Sequence, residues 1–185
     1  MIGQLPTTIT VNGKELHIET DFRTALLVLV ACNDVELSDR EKVYIMVDAL
    51  VGFENLERED VEEAIKQCSW FMDGGKDYSK AINKPKLMDW EQDEQIIFSA
   101  INRVAGKEVR TESYLHWWSF LGYFNEIQEG LFSNILNIRQ KKAKHKQLEK
   151  WEQDFYRDNK DLIDFKTVYT EVEKEEMRKL NERFK

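Results

Sequence analysis

The chain has 185 residues, a net charge of −8, and 42% hydrophobic and 11% aromatic residues. That length supports one well-buried domain, or one domain with an appended helix, and that apolar content excludes global disorder. The negative charge disfavours a general binder of nucleic acid or acidic membrane, because phosphates are repelled on average.

The opening Met1-Ile2-Gly3-Gln4-Leu5-Pro6 has neither the basic start nor the apolar stretch of a secretory signal. The longest apolar run, Ala25 to Cys32, falls far short of the roughly 20 residues that span a bilayer. A cytoplasmic protein is expected. Thr8 to Val11 and Lys14 to Ile18 alternate around Asn12-Gly13, the pair best suited to a type I′ turn, which predicts a β-hairpin. Two strands alone are marginal in water, so the hairpin must lean on helices or pair with another chain.

From Asp21 the period becomes helical. A first helix is predicted over about Asp21 to Cys32. Ser38 with Glu41 forms a capping box that opens a second, carrying Val43, Met46, Val47, Leu50 and Val51 and ending at Gly52. A third carries Val61, Ala64, Ile65, Cys68, Phe71 and Met72 and stops at Gly74-Gly75. Cys32 and Cys68 lie among apolar helical residues and are expected to be buried free thiols. Residues 74–87 read as the main loop. Asp89 with Gln92 is expected to cap a helix bearing Trp90, Ile97, Ile101 and Val104, ended by Gly106.

The most apolar stretch, from about Thr111 to Gln128, is apolar around most of its circumference and is predicted as a buried central helix. A long helix is then predicted from about Phe132 to Asn159, roughly 42 Å in length. Its middle, Arg139 to Gln147, has almost no apolar face and should project past the core. A final amphipathic helix, about Glu171 to Phe184, bears Val172, Met177, Leu180 and Phe184. The expected fold is mainly α: a helical bundle with a small N-terminal β-hairpin and a long projecting C-terminal helix. Residues 1–130 form the hairpin and helical core, and 131–185 the long helix and terminal helix, as one continuous domain with an arm.

Chemistry for catalysis is not evident. There is no glycine-rich phosphate loop and no pair of closely spaced cysteines for zinc. His17, His116 and His145 lie on separate elements, without the Glu three residues earlier that a di-iron bundle needs. Glu112 and His116, one helical turn apart, read as an ordinary surface contact. The chain is expected to be no enzyme and to hold no metal or cofactor. Residues 38–72 have helix-turn-helix-like spacing, but Glu57, Glu59, Asp60, Glu62 and Glu63 would repel a DNA groove.

Two features suggest contacts with other macromolecules. Arg139, Lys141, Lys142, Lys144 and Lys146 make a basic run in an acidic chain, suited to phosphates or an acidic protein surface. Trp117 and Trp118 point about 100° apart on a helix, so one can face the core and the other a partner.

The run Leu5-Pro6, the hairpin around Asn12-Gly13-Lys14, and Ile18 to Arg23 resemble a family of siphophage proteins encoded in the tail-morphogenesis region near the tape-measure gene. Ser113 to Phe124 and Ile138 to Lys142 extend the resemblance over most of the chain to about Asn159. It implies a non-enzymatic tail assembly chaperone in the bacterial host cytoplasm, binding the tape-measure protein or the tail tube protein. Trp117, Trp118 and the arm bearing Arg139, Lys141, Lys142, Lys144 and Lys146 are its candidate protein-binding residues, with self-association as a further possibility. The competing readings are a structural virion component, such as a tail-completion or connector protein, and a nucleic-acid-associated protein using the basic helix 139–146.

Overall fold

A computed structural model describes residues 3–76, 85–167 and 170–183. Its architecture is mainly α, with nine helices and one two-stranded antiparallel sheet among the described residues. β1 (Thr8–Val11) and β2 (Lys14–His17) pair in the register Ile9↔Leu16 and Val11↔Lys14. Asn12 and Gly13 take φ of 48° and 81°, as a type I′ turn requires.

The hairpin leans on a helix of its own chain. Ile9 and Val11 are buried, and the tip is pinned to Asp60, which accepts from Asn12 Nδ2 at 3.0 Å and from Lys14 Nζ at 3.1 Å. Asp60 leads directly into α3 (Val61–Met72).

α1 (Phe22–Asn33) is capped by Asp21, whose side chain accepts from the Arg23 N–H. α2 (Asp39–Leu50) opens with the reciprocal Ser38–Glu41 capping box that the sequence predicts. α4 (Glu94–Ala105) begins later than Asp89, which instead accepts from the N–H groups of Glu91 and Gln92 in the preceding turn. Gly106 ends α4 in a left-handed conformation. Of the predicted loop 74–87, residues 77–84 lie outside the described residues. Cys68 is buried as expected, and burial pushes its thiol up to about 12. Cys32 is exposed, contrary to expectation.

α5 is shorter than predicted, Trp117–Asn125. The residues before it are extended and cross to α1: Asp21 and His116 form an antiparallel bridge, Phe22 N–H donates to Leu115 O, and Trp117 N–H donates to Thr20 O. The predicted Glu112–His116 contact is therefore absent. Glu112 pairs with Lys107 at 3.0 Å.

The long projecting helix is corrected. α6 (Leu131–Ala143) stops, the chain turns through His145 at φ 52°, and α7 (Lys150–Asp158) and the single-turn α8 (Lys160–Ile163) follow. Two local causes act together. The polar stretch 139–147 offers no apolar face to extend against the core, and Glu149 with Glu152 forms a capping box that starts a new helix. The returning segment packs Leu148, Phe155, Tyr156 and Leu162 around buried Ile135, Ile138 and Ile163, a second small core beside the main one. α9 (Glu171–Arg183) completes the chain, with Met177 and Leu180 exposed.

One ion pair ties these parts together. Arg139 on α6 is 4% exposed and Asp93, at the head of α4, 1%. All five guanidinium N–H groups are used. Two go to the Asp93 carboxylate, two to Leu162 O and Ile163 O of α8, and one to Leu87 O. Replacing Arg139 with Met should lower the urea-unfolding free energy by about 3–5 kcal/mol, because it strands a buried carboxylate. Adding Asp93→Asn to that variant should recover much of the loss, which the same titration reads.

Candidate protein-binding site

The two tryptophans face inward. Trp117 is 1% exposed and Trp118 half-buried. Their indole N–H groups donate to Met72 O at 2.9 Å and Phe71 O at 2.8 Å, two carbonyls at the end of α3 where the helical hydrogen-bond ladder runs out; Phe71 O also accepts from the Gly74 N–H at 3.1 Å. Trp118 also lies against Gly75, where a Cβ would meet the ring at 2.7 Å. The pair is a clamp that joins α5 to the C-terminus of α3. His116 supports it: Nδ1 accepts from the Trp118 N–H at 3.0 Å, which leaves the Nε2–H tautomer to donate to Pro6 O at 2.8 Å.

The basic run is not one surface. Arg139 is spent on Asp93. Lys141 donates to the buried Glu152 at 2.6 Å, and Asn137 donates to the same oxygen at 3.0 Å. Lys142 pairs with Asp164 and lies 3.8 Å from the centre of the Tyr156 ring. Lys144 and Lys146 stand exposed on the turn around His145. Thus, of the predicted contact residues, Trp117 and Arg139 lack an accessible surface, while Lys141 and Lys142 fasten α7 and α8 to α6. The spacing of the lysines gave no sign of this, because their partners lie 11 and 22 residues away.

A different feature has the character of a docking site. Between α1 and α4 runs an open groove of about 480 Å³, lined by Phe22, Leu26, Leu27 and Val30 from one side and by Trp90, Ile97 and Phe98 from the other. Phe22, Ile97 and Phe98 form its buried floor, whereas Leu27 on its lip is 68% exposed. Glu91, Glu94, Arg23 and Arg110 stand at its margins. An isolated exposed leucine needs no explanation, but an apolar lip above an apolar floor is how a protein presents itself to a partner. The floor is rigid. Phe22 stacks on Phe120 at 4.8 Å and meets Phe98 edge-on at 6.3 Å, and the Arg110 guanidinium covers Phe98 at 4.9 Å. Arg110 is itself held by Glu108, whose carboxyl it draws down to about 2.

A larger concavity, about 950 Å³, is lined by Arg103, Val104, Glu126, Gln128 and Glu129. It has one apolar lining residue, so it offers little to bury. Among the described residues no three His, Cys, Asp or Glu side chains are grouped to hold a metal, and no helix is long and apolar enough to cross a membrane. Sequence spacing alone does not mark the groove, because Leu26, Leu27 and Val30 read as one more apolar helix face.

The family described as Bacteriophage Gp15 protein matches residues 1–165. The chain belongs to that family. It is a phage protein, as its resemblance to phage sequences implied. No curated protein and no solved structure matches it. The family match spans the hairpin, the groove and both cores, and it stops ahead of α9.

The ion pairs that hold α7 and α8 to α6 predict a pH dependence. Burial opposes ionisation of Glu152, but hydrogen bonds from Lys141, the Glu149 N–H and Asn137 outweigh it and hold its pKa below the ordinary value. Asp164 is lowered likewise, with burial opposed by Lys142 and Tyr156. Their contribution is therefore complete above about pH 5 and is lost as the pH falls through the folded-state values. Glu152→Gln should lower the urea midpoint at pH 7 and flatten its decline between pH 7 and 3. A companion pair of variants separates the lysines: Lys141→Glu should destabilise clearly, while Lys144→Glu should stay within about 0.5 kcal/mol in the same titration.

Proposed function

We propose that this Gp15-family protein is a non-enzymatic phage tail assembly factor, a chaperone that holds an apolar helical stripe of the tape-measure protein, the tail tube protein, or both. The observation that carries the reading is the α1/α4 groove, with its exposed Leu27 lip over a rigid aromatic floor. A tape measure is a long helix whose apolar stripe must be shielded until the tube encloses it, and an amphipathic helix laid in an apolar groove is a recurring mode of recognition. Side chains at i, i+3 and i+4 of the client would seat against Leu26, Leu27, Val30 and Trp90. The acidic exterior keeps such a complex dispersed. In this reading the basic turn at Lys144 and Lys146 is peripheral, and the chain acts in the host cytoplasm before the tail is complete.

The test is co-purification of the tagged full chain with co-expressed tape-measure or tube protein, alongside Leu27→Asp. A charge on the lip should reduce capture by about tenfold or more, since the carboxylate loses its hydration against the client, whereas Lys144→Glu with Lys146→Glu should leave capture within about twofold. Equal capture by Leu27→Asp and wild type would remove the groove from the proposal. Detection of the protein at fixed copy number in purified virions would point to a structural tail component instead.

A further inference from the structure

The chain also contains a segment suited to the groove. α9 exposes Met177 (38%) and Leu180 (53%), three residues apart on one helical face. The approach to α9 is pinned on both sides of the groove. On the α4 side, Gln92, next in sequence to the groove residue Glu91, donates to Asp164 O and accepts from the Lys166 N–H, each at 2.9 Å. On the α1 side, the Glu171 N–H donates to Glu36 Oε1 at 2.6 Å, three residues beyond the end of α1. Residues 164–166 thus contact the turn before α4 and Glu171 contacts the loop after α1, so the start of α9 lies beside both helices that form the groove.

The spans agree as well. Counted from the Glu171–Glu36 contact, Met177 and Val30 are each six residues away and Leu180 and Leu27 each nine, so at about 1.5 Å per residue Met177 falls opposite Val30 and Leu180 opposite Leu27. A helix rooted at this place experiences the groove at an effective concentration in the millimolar range, so a modest apolar contact suffices to close it.

We propose that α9 is a tethered strap that folds over the α1/α4 groove of its own chain, seating Met177 and Leu180 against Leu27 and Val30. The extended arrangement, with Leu27 and Leu180 both exposed, is its open state. Docking would cover the face offered to a client helix, so strap and client compete. The strap itself requires only the groove and the tether and is tested without any client.

The experiment uses full-length protein with Cys32→Ser, so that the buried Cys68 is the one native thiol left. Leu27→Cys with Leu180→Cys is oxidised mildly beside the control pair Leu131→Cys with Leu180→Cys. Rapid intrachain disulfide formation in the monomer for the 27/180 pair, and not for the 131/180 pair, is expected. Interchain dimers in place of the intrachain bond, or equal yields from both pairs, would overturn the proposal. A second measurement avoids oxidation altogether. In Cys32→Ser with Leu27→Cys, adding Met177→Asp and Leu180→Asp should speed thiol labelling at residue 27 by about tenfold, the shift expected when a partly buried apolar contact is lost. An unchanged labelling rate would overturn it equally.

Discussion

The buried pair of Arg139 and Asp93 is the constraint on which the rest of this molecule depends. A guanidinium removed from water must have each of its five donors satisfied, and here they are satisfied by two distant pieces of chain: the stretch 87–93 leading into α4, through Leu87 O and the Asp93 carboxylate, and the carbonyls of α8. Phe165 covers the other face of the group, 4.2 Å from its ring centre. This one side chain fixes where α6 lies against α4 and where the chain returns after α7. It also sets the start of α9, since Asp164 and Lys166 follow directly and are bound to Gln92.

The groove is a consequence of that arrangement and of the aromatic stack on its other side. α5 delivers Phe120 beneath Phe22, and the Trp117–Trp118 clamp holds α5 to the end of α3. α1 is thereby anchored along its inner face by Phe22, Ala25 and Val28, which are buried, while Leu26, Leu27 and Val30 are left toward the groove. A floor fixed from two directions does not collapse to fill the space above it, because packed cores yield little to local demand. An open apolar site in a small protein is sustained in this way.

Elements whose partners are close in sequence were legible. Asn12-Gly13 specified its turn, Ser38 with Glu41 its capping box, and Gly106 the end of α4. The helices through Met72 matched their apolar spacing closely. The errors share one cause. The apolar stretch 111–128 predicts a longer helix than forms, because Asp21, more than 90 residues away, draws Leu115 and His116 into an extended bridge. The spacing over 132–159 predicts one continuous, projecting helix with its lysines free to bind a partner, whereas Lys141 and Lys142 are held by Glu152 and Asp164 of the returning chain. Arg139 stood in the same run and had the opposite fate from its neighbours at 144 and 146.

By itself, then, the sequence determined the helical class, the hairpin and most helix boundaries in the first half, since periodicity, caps and turn residues act over a few residues, while its resemblance to phage sequences pointed to a phage protein. Tertiary structure alone decided which charges are buried, where the second half turns back, and that an apolar groove stays open between α1 and α4. Those outcomes depend on long-range pairing and on desolvation, which one-dimensional spacing does not encode. Two lysines one residue apart and an arginine two before them are the same signal in a sequence, and become a brace, a clasp and a buried hub only when their carboxylates arrive from elsewhere in the chain.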